Sequence, residues 1–254
     1  MAKITPIAHE DQLTLVEHLD ELRTRLMISG AAFVVALGLC FWQNHWLLKI
    51  IDHPLHGRQP ITLGVAEPFT TTLTVSAYAA ILLVLPIVLY QLYAFVLPAF
   101  SHTERRVALP LMVMVPFLFI AGVVFSYYVV VPAALKFLLN FNADQFNTQI
   151  RAKEYYSFIT MSLLSVGILF QIPVGILAAT KLGLTTPAKL RRGRRYAILV
   201  IAVLAAALPG VDPVSMLIEM VPLVVLYELS ILLAAAFGTP SAEPADRLAS
   251  AEGS

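Results

Sequence analysis

Residues able to do chemistry occupy two settings in this chain. The first is the stretch His18-Leu19-Asp20-Glu21-Leu22-Arg23-Thr24-Arg25-Leu26, where acids and arginines alternate just before the first apolar run. Glu17, Asp20 and Glu21 form an acidic group, and Glu21 and Arg25 stand at i, i+4, a pair worth about 0.2–0.5 kcal/mol on an exposed helix. A solvated helix face is the plain reading of that group. Another acid, Glu104, lies in the short charged segment Ser101–Arg106, with Arg105 and Arg106 as ready salt-bridge partners. Two carboxylates at one interface can also receive a cation with paired guanidinium groups, which offer a planar bidentate fork that lysine lacks.

The second setting is within or between apolar runs, where Gln171, Glu219, Glu228 and Asp212 are found. Intramembrane carboxylates normally face protein or water and are paired or functional. Glu219 and Glu228 are nine residues apart, about 180° around a helix, so they do not form one site. Asp212, between Gly210-Val211 and Pro213, is placed to cap the helix that follows or to contact a partner. The single cysteine, Cys40, excludes an internal disulfide and any multi-cysteine metal site.

The elements that must position these groups are membrane helices. The chain has 254 residues, 59% hydrophobic and only 13% charged, with a mean hydropathy of +0.80. A soluble domain carries about 25% charged residues. Six apolar segments follow from the pattern, at about 26–42, 72–97, 108–131, 156–180, 196–208 and 214–237. Trp42 and Trp46 anchor the far end of the first. The polar connection from Gln43 to about Thr71, with its Pro and Gly content, predicts an ordered extramembrane cap. Pro86, Pro110, Pro116 and Pro173 predict bends within spans. A loop is expected over about 132–155. The fifth segment spans roughly 20 Å as a helix, too short for a bilayer core of about 30 Å. The tail, 238–254, rich in Ala, Ser, Pro and Glu, has the composition of a disordered segment.

Upstream of the first span, Leu15, Leu19, Leu22 and Leu26 recur as one apolar stripe, and Thr14 with Glu17 forms a capping box. The polar residues before the first apolar run do not resemble a cleavable signal. With six spans both termini share a side. That side carries Lys3, Arg23, Arg25, Arg105, Arg106, Lys181, Lys189, Arg191, Arg192, Arg194, Arg195 and Arg247; the other carries only Lys49, Arg58, Lys136, Arg151 and Lys153. The imbalance predicts cytoplasmic termini and puts Glu21 and Glu104 on the same face. It also accounts for the basic run at 191–195 without nucleic acid.

At these residues the chain resembles the TatC family, the multispanning subunit of the twin-arginine protein translocase. His18-Leu19-x-Glu21-Leu22-Arg23-x-Arg25-Leu26 is similar to the family's N-terminal signature. Tyr90-Gln91-Leu92-Tyr93-Ala94-Phe95-Val96-Leu97-Pro98-Ala99-Phe100, with His102-Thr103-Glu104-Arg105-Arg106, resembles its first cytoplasmic loop. Phe170-Gln171-Ile172-Pro173 and Leu208-Pro209 with Asp212 fit as well, so the likeness covers about residues 12–237.

The resemblance implies an all-α polytopic fold of six helices in a concave, glove-like arrangement, the last two short, in the bacterial cytoplasmic membrane. It implies that Glu21 and Glu104 dock twin-arginine signal peptides, that Phe95 belongs to the same surface, and that Arg23 orients it. Pro54 matches a structural proline of the first periplasmic loop. TatA- and TatB-type single-span partners in a multimeric complex, and energy from the proton-motive force, are implied too. No phosphate-binding loop is present, so no nucleotide or other cofactor is expected. Where many members carry glutamate, this chain has Gln171, which keeps a hydrogen-bonding group without the ionisable proton. An interhelical hydrogen bond there is worth about 0.6 kcal/mol.

Two other classes compete. A proton- or ion-coupled secondary transporter would use Glu219, Glu228 and Gln171; internal repeats would favour it, and none is found. An intramembrane enzyme needs a nucleophile–base or metal constellation. His9, His18, His45, His53, His56 and His102 all fall in or beside loops, and no span carries such a set.

Overall fold

In the computed structural model the described residues are 15–55, 57–96, 102–146, 148–181, 183–209 and 212–237, without the side chains of 15–19, 96, 102–113, 181 and 237. Thr14 of the expected capping box and the 238–254 tail lie outside them. The described chain is helical almost throughout. Its helices are α1 (Leu15–Trp42), α2 (Asn44–Asp52), α3 (Glu67–Val96), α4 (His102–Phe125), α5 (Val131–Asn140), α6 (Ala152–Leu169), α7 (Ile172–Lys181), α8 (Pro187–Arg192), α9 (Arg194–Ala207) and α10 (Pro213–Phe237).

Five helical segments are long and apolar enough to cross a membrane: Asp20–Trp42, Glu67–Phe95, Met114–Asn140, Ala152–Thr180 and Pro213–Ala236. α9 covers the expected fifth segment with 14 residues, about 21 Å of helix, but α10, with 25 residues and a run long enough to cross a membrane, is not the short last helix that the resemblance implied. The third segment runs further than hydropathy predicts. A π-helical turn, Ser126–Val130, joins α4 to α5, so helix occupies the first part of the expected 132–155 loop. Pro132 falls just after the π turn, whose wider winding accommodates a residue that cannot donate the next helical hydrogen bond.

α1 packs on α3, and α3 on α4 and α6; α4 packs on α6, while α10 is held by α7 and α9. Two glycines set the closeness of α4 and α6. A Cβ on Gly167 would stand 2.7 Å from the Phe119 ring, and one on Gly122 would stand 2.8 Å from Phe170. Phe170 therefore lies in the notch above Gly122, 5.7 Å from the Phe125 ring. Immediately beyond it the chain breaks between α6 and α7. Pro173 cannot donate to a carbonyl of the preceding turn, and Gln171 N–H instead closes a tight turn on Ile168 O at 2.9 Å.

The expected cap is ordered and clasped at several points. Tyr127 and Tyr155 donate to Ile50 O and Ile51 O at 2.6 and 2.7 Å, satisfying carbonyls at the end of α2. Pro54 is buried in the 3-10 turn that follows, and Gly57 supplies the positive φ of +91° that turns the chain onward. Ile61 bridges the opposite loop, donating to Ile150 O and accepting from Ala152 N–H, both at 2.8 Å. Glu67 accepts from the backbone of Leu63 and Gly64 and from Arg151 Nε at 2.9 Å, locking the start of α3 to the start of α6.

Candidate functional site

At the opposite end from the cap, α1 and α3 build a guanidinium cradle. Glu21 and Arg25 are one helical turn apart on α1, so their side chains meet on one face. Arg25 Nε donates to Glu21 Oε1 at 3.1 Å, and Nη2 donates to the same oxygen. The other arm of the fork crosses to α3, where Nη1 donates to Gln91 Oε1 at 2.7 Å. Glu21 keeps 30% of its side chain exposed and Arg25 22%, so the pair sits at a wet boundary rather than in the core. Phe95 follows Gln91 by one turn of α3 and is half-buried on that face.

Arg23 projects into the open, as do Asp20, Leu22 and Leu26. The described part of the leucine stripe, Leu22 and Leu26, is thus an outer surface of α1. Glu104 stands in the first turn of α4, where a carboxylate is favoured by the helix dipole. Its side chain lies outside the described residues, and with it the separation of the two carboxylates. Gln91 is the member of this cluster that the sequence left unmarked. Its signal was its place in the Tyr90–Phe100 motif, one turn before Phe95.

The polar residues of the interior form a different arrangement. Gln171 is buried at the α6–α7 break and donates Nε2 to Val115 O on α4 at 3.2 Å, the interhelical bond expected of it. Asp212 is buried and caps α10, accepting from Ser215 N–H at 2.8 Å. Glu219 is only 2% exposed. Neither of its carboxylate oxygens has a hydrogen-bond partner among the described residues. Glu228 behaves otherwise: it reaches the surface and accepts from Arg194 Nη2 at 2.8 Å. The two acids of α10 are separate, as their spacing requires. Among the described residues no group of three His, Cys, Asp or Glu side chains is gathered to hold a metal.

Comparison with known proteins matches this arrangement to one family. The family model described as "Sec-independent protein translocase protein (TatC)" covers residues 17–222. A TatC protein of Magnetococcus marinus is 36% identical over 227 residues, 87% of this chain and 84% of its own. One from Carboxydothermus hydrogenoformans is 35% identical, covering 87% of this chain and 93% of its own. Among solved structures, a crystal structure of a twin-arginine translocase receptor, TatC, in DDM superposes with a TM-score of 0.75 at 33% identity, over 85% of this chain and 99% of that one. A second crystal structure of such a receptor gives a TM-score of 0.73 at 32% identity, over 87% and 99%. With a family match across most of the length, and both sequence and fold relatives above 30% identity, the chain belongs to the TatC family of Sec-independent protein translocase proteins.

Proposed function

We propose that this translocase subunit is the receptor for twin-arginine signal peptides, and that Glu21 and Glu104 take up the two guanidinium groups. As a translocase component it is not an enzyme. The observation that supports the docking role is the cradle itself. It already holds one guanidinium, with the Glu21 carboxylate on one arm and the Gln91 amide on the other. An arriving arginine would find the same partners and displace Arg25, whose bonds lie at a half-exposed boundary and are individually weak. Phe95 offers an apolar wall beside Gln91, and Arg23 supplies positive charge that holds the acids in place until the peptide arrives.

The remainder of the reading concerns setting and partners. Residues 1–237 form one membrane domain of six helical passes in a concave, glove-like arrangement. α9 is the short fifth pass, and both termini and the 238–254 tail lie in the cytoplasm. The chain works in the bacterial cytoplasmic membrane with single-span TatA- and TatB-type proteins in a multimeric complex, driven by the proton-motive force. Gln171, Glu219 and Asp212 provide polar contacts within the bilayer, to partner helices or to water, and Pro54 is structural.

The test is peptide binding to the full chain in nanodiscs. Glu21→Ala and Glu104→Ala are each expected to weaken a twin-arginine signal peptide at least about tenfold, the scale of a lost hydrogen bond to a charged group. Assembly remains intact. A twin-lysine peptide binds wild type as poorly as the twin-arginine peptide binds the variants. Unchanged affinity in both variants would sink the reading.

A further inference from the structure

α10 carries a line of buried polar atoms with no partners among the described residues. Asp212, Ser215 and Glu219 fall at i, i+3 and i+7, which places them on one face of the helix. All three are buried. Among the described residues, Asp212 Oδ2, Ser215 Oγ and both carboxylate oxygens of Glu219 lack a hydrogen-bond partner. Polar atoms buried in native proteins are nearly always satisfied, so a run of them on one face marks a function.

The walls around Glu219 sharpen the point. They are Phe125 from α4, Val166, Leu169 and Phe170 at the end of α6, Leu208 after α9, and Leu223 one turn along α10. None of these can donate a hydrogen bond or balance a charge. Among the residues whose side chains are described, the charged groups on the other elements packed against α10 are engaged or turned outward. Arg194 of α9 is held by Glu228, and Lys136 of α5 and Lys189, Arg191 and Arg192 of α8 are exposed. Asp212, on the same face two turns away, is itself an acid. An ionised carboxylate in that setting would cost several kcal/mol.

The shortness of α9 gives this line an opening. Ser162 Oγ donates to Pro209 O at 3.4 Å, so the turn after α9 lies level with the middle of α6, ten residues or about 15 Å along from Ala152. Asp212 follows that turn directly. Glu219 lies seven residues further, about 10 Å deeper along α10. Pro209, just after α9, thereby lies level with the middle of α6, and Ser215 falls between Asp212 and Glu219 along the face of α10.

We propose that Glu219 is a proton-binding carboxyl of the membrane interior, neutral at rest, exchanging its proton with the cap side through Ser215 and Asp212. The reaction is a protonation alone: a hydronium proton reaches Asp212, is carried past Ser215 Oγ by intervening water when this face of the helix opens, and ends on a Glu219 oxygen, and release reverses the path. Gln171, which cannot ionise, anchors α7 to α4 and leaves the titration to α10.

Infrared difference spectra of the full chain in nanodiscs test this directly. A carboxylic-acid carbonyl band that shifts in heavy water is expected in wild type at neutral pH. It should be lost at high pH and absent at neutral pH in Glu219→Gln. Because glutamine mimics the neutral acid in shape and charge, that variant should fold and retain signal-peptide binding. Ser215→Ala and Asp212→Asn should keep the band and slow its deuterium shift several-fold. Dicyclohexylcarbodiimide, which adds only to protonated carboxyls in apolar surroundings, should label Glu219 of wild type. Superimposable acid-band spectra for wild type and Glu219→Gln overturn the proton site, as does a Glu219→Gln chain that cannot fold. Unaltered deuteration in both path variants overturns the route. Peptide binding is read separately, so its failure bears on the docking site and not on Glu219.

Discussion

The two polar regions of this molecule solve opposite problems with the same residue type. In the cradle the Glu21 carboxylate is half-exposed and bonded twice by Arg25, whose remaining arm is held by Gln91. On α10 the Glu219 carboxylate is buried and bonded by nothing among the described residues. Water near Glu21 screens its charge and lowers the worth of each contact, so one guanidinium can be traded for another at small cost. Around Glu219 the lining side chains are apolar and offer no counter-charge, so the change of state open to it is gain or loss of a proton. Exposure decides which ligand a carboxylate can take.

The strongest break of this comparison is a fixed charge on each side. Glu219→Arg puts a cation that cannot be neutralised among Phe125, Val166 and Leu223, at a cost of several kcal/mol. The expected outcome is a chain that fails to accumulate, or unfolds at much lower temperature in detergent. Glu21→Arg introduces the same group at the wet boundary, and its thermal unfolding should match wild type while peptide binding is lost. Equal melting of the two variants would mean that the interior of α10 is hydrated.

A milder break acts on the walls rather than on the acid. Gly167→Val pushes a side chain into the Phe119 ring, which already lies 2.7 Å from where a Cβ would stand. Overpacking of this kind costs about 1–3 kcal/mol. The displaced α4–α6 contact moves Phe170 and opens the floor beneath Glu219. Thermal unfolding should drop by several degrees and carbodiimide labelling of Glu219 should quicken, with the cradle's peptide affinity unchanged. Slower labelling would contradict the wall assigned to Phe170.

Much of this was legible in the residue order, because lipid imposes a pattern that a single chain displays. The five long apolar helices, the short α9, the ordered cap and the separation of Glu219 from Glu228 all follow from hydropathy and helical spacing. The continuation of helix through Val131–Asn140 was not legible, since the same residues read as a loop until a π-turn carries α4 into them. The bond from Arg25 to Gln91 joins positions 66 apart and depends on how α1 lies on α3. The Asp212–Ser215–Glu219 line was present in the spacing. Its meaning depended on burial, because the same three residues on an exposed face would simply be hydrated.

The finest test of the comparison is whether the resident arginine competes with the guest. Arg25→Met keeps an apolar stem of similar reach and removes the guanidinium that occupies Glu21 and Gln91. If Arg25 is a placeholder, the peptide no longer has to displace it, and twin-arginine binding should tighten. The helical ion pair contributes about 0.2–0.5 kcal/mol and a net hydrogen bond about 0.5–1.5, so the gain should fall between about threefold and thirtyfold. Raising salt should shrink the difference between variant and wild type, because it weakens the resident pair together with the guest's bonds. Weaker binding in Arg25→Met would instead make Arg25 a strut that aims the Glu21 carboxylate, and the cradle would then share with α10 a need for fixed geometry.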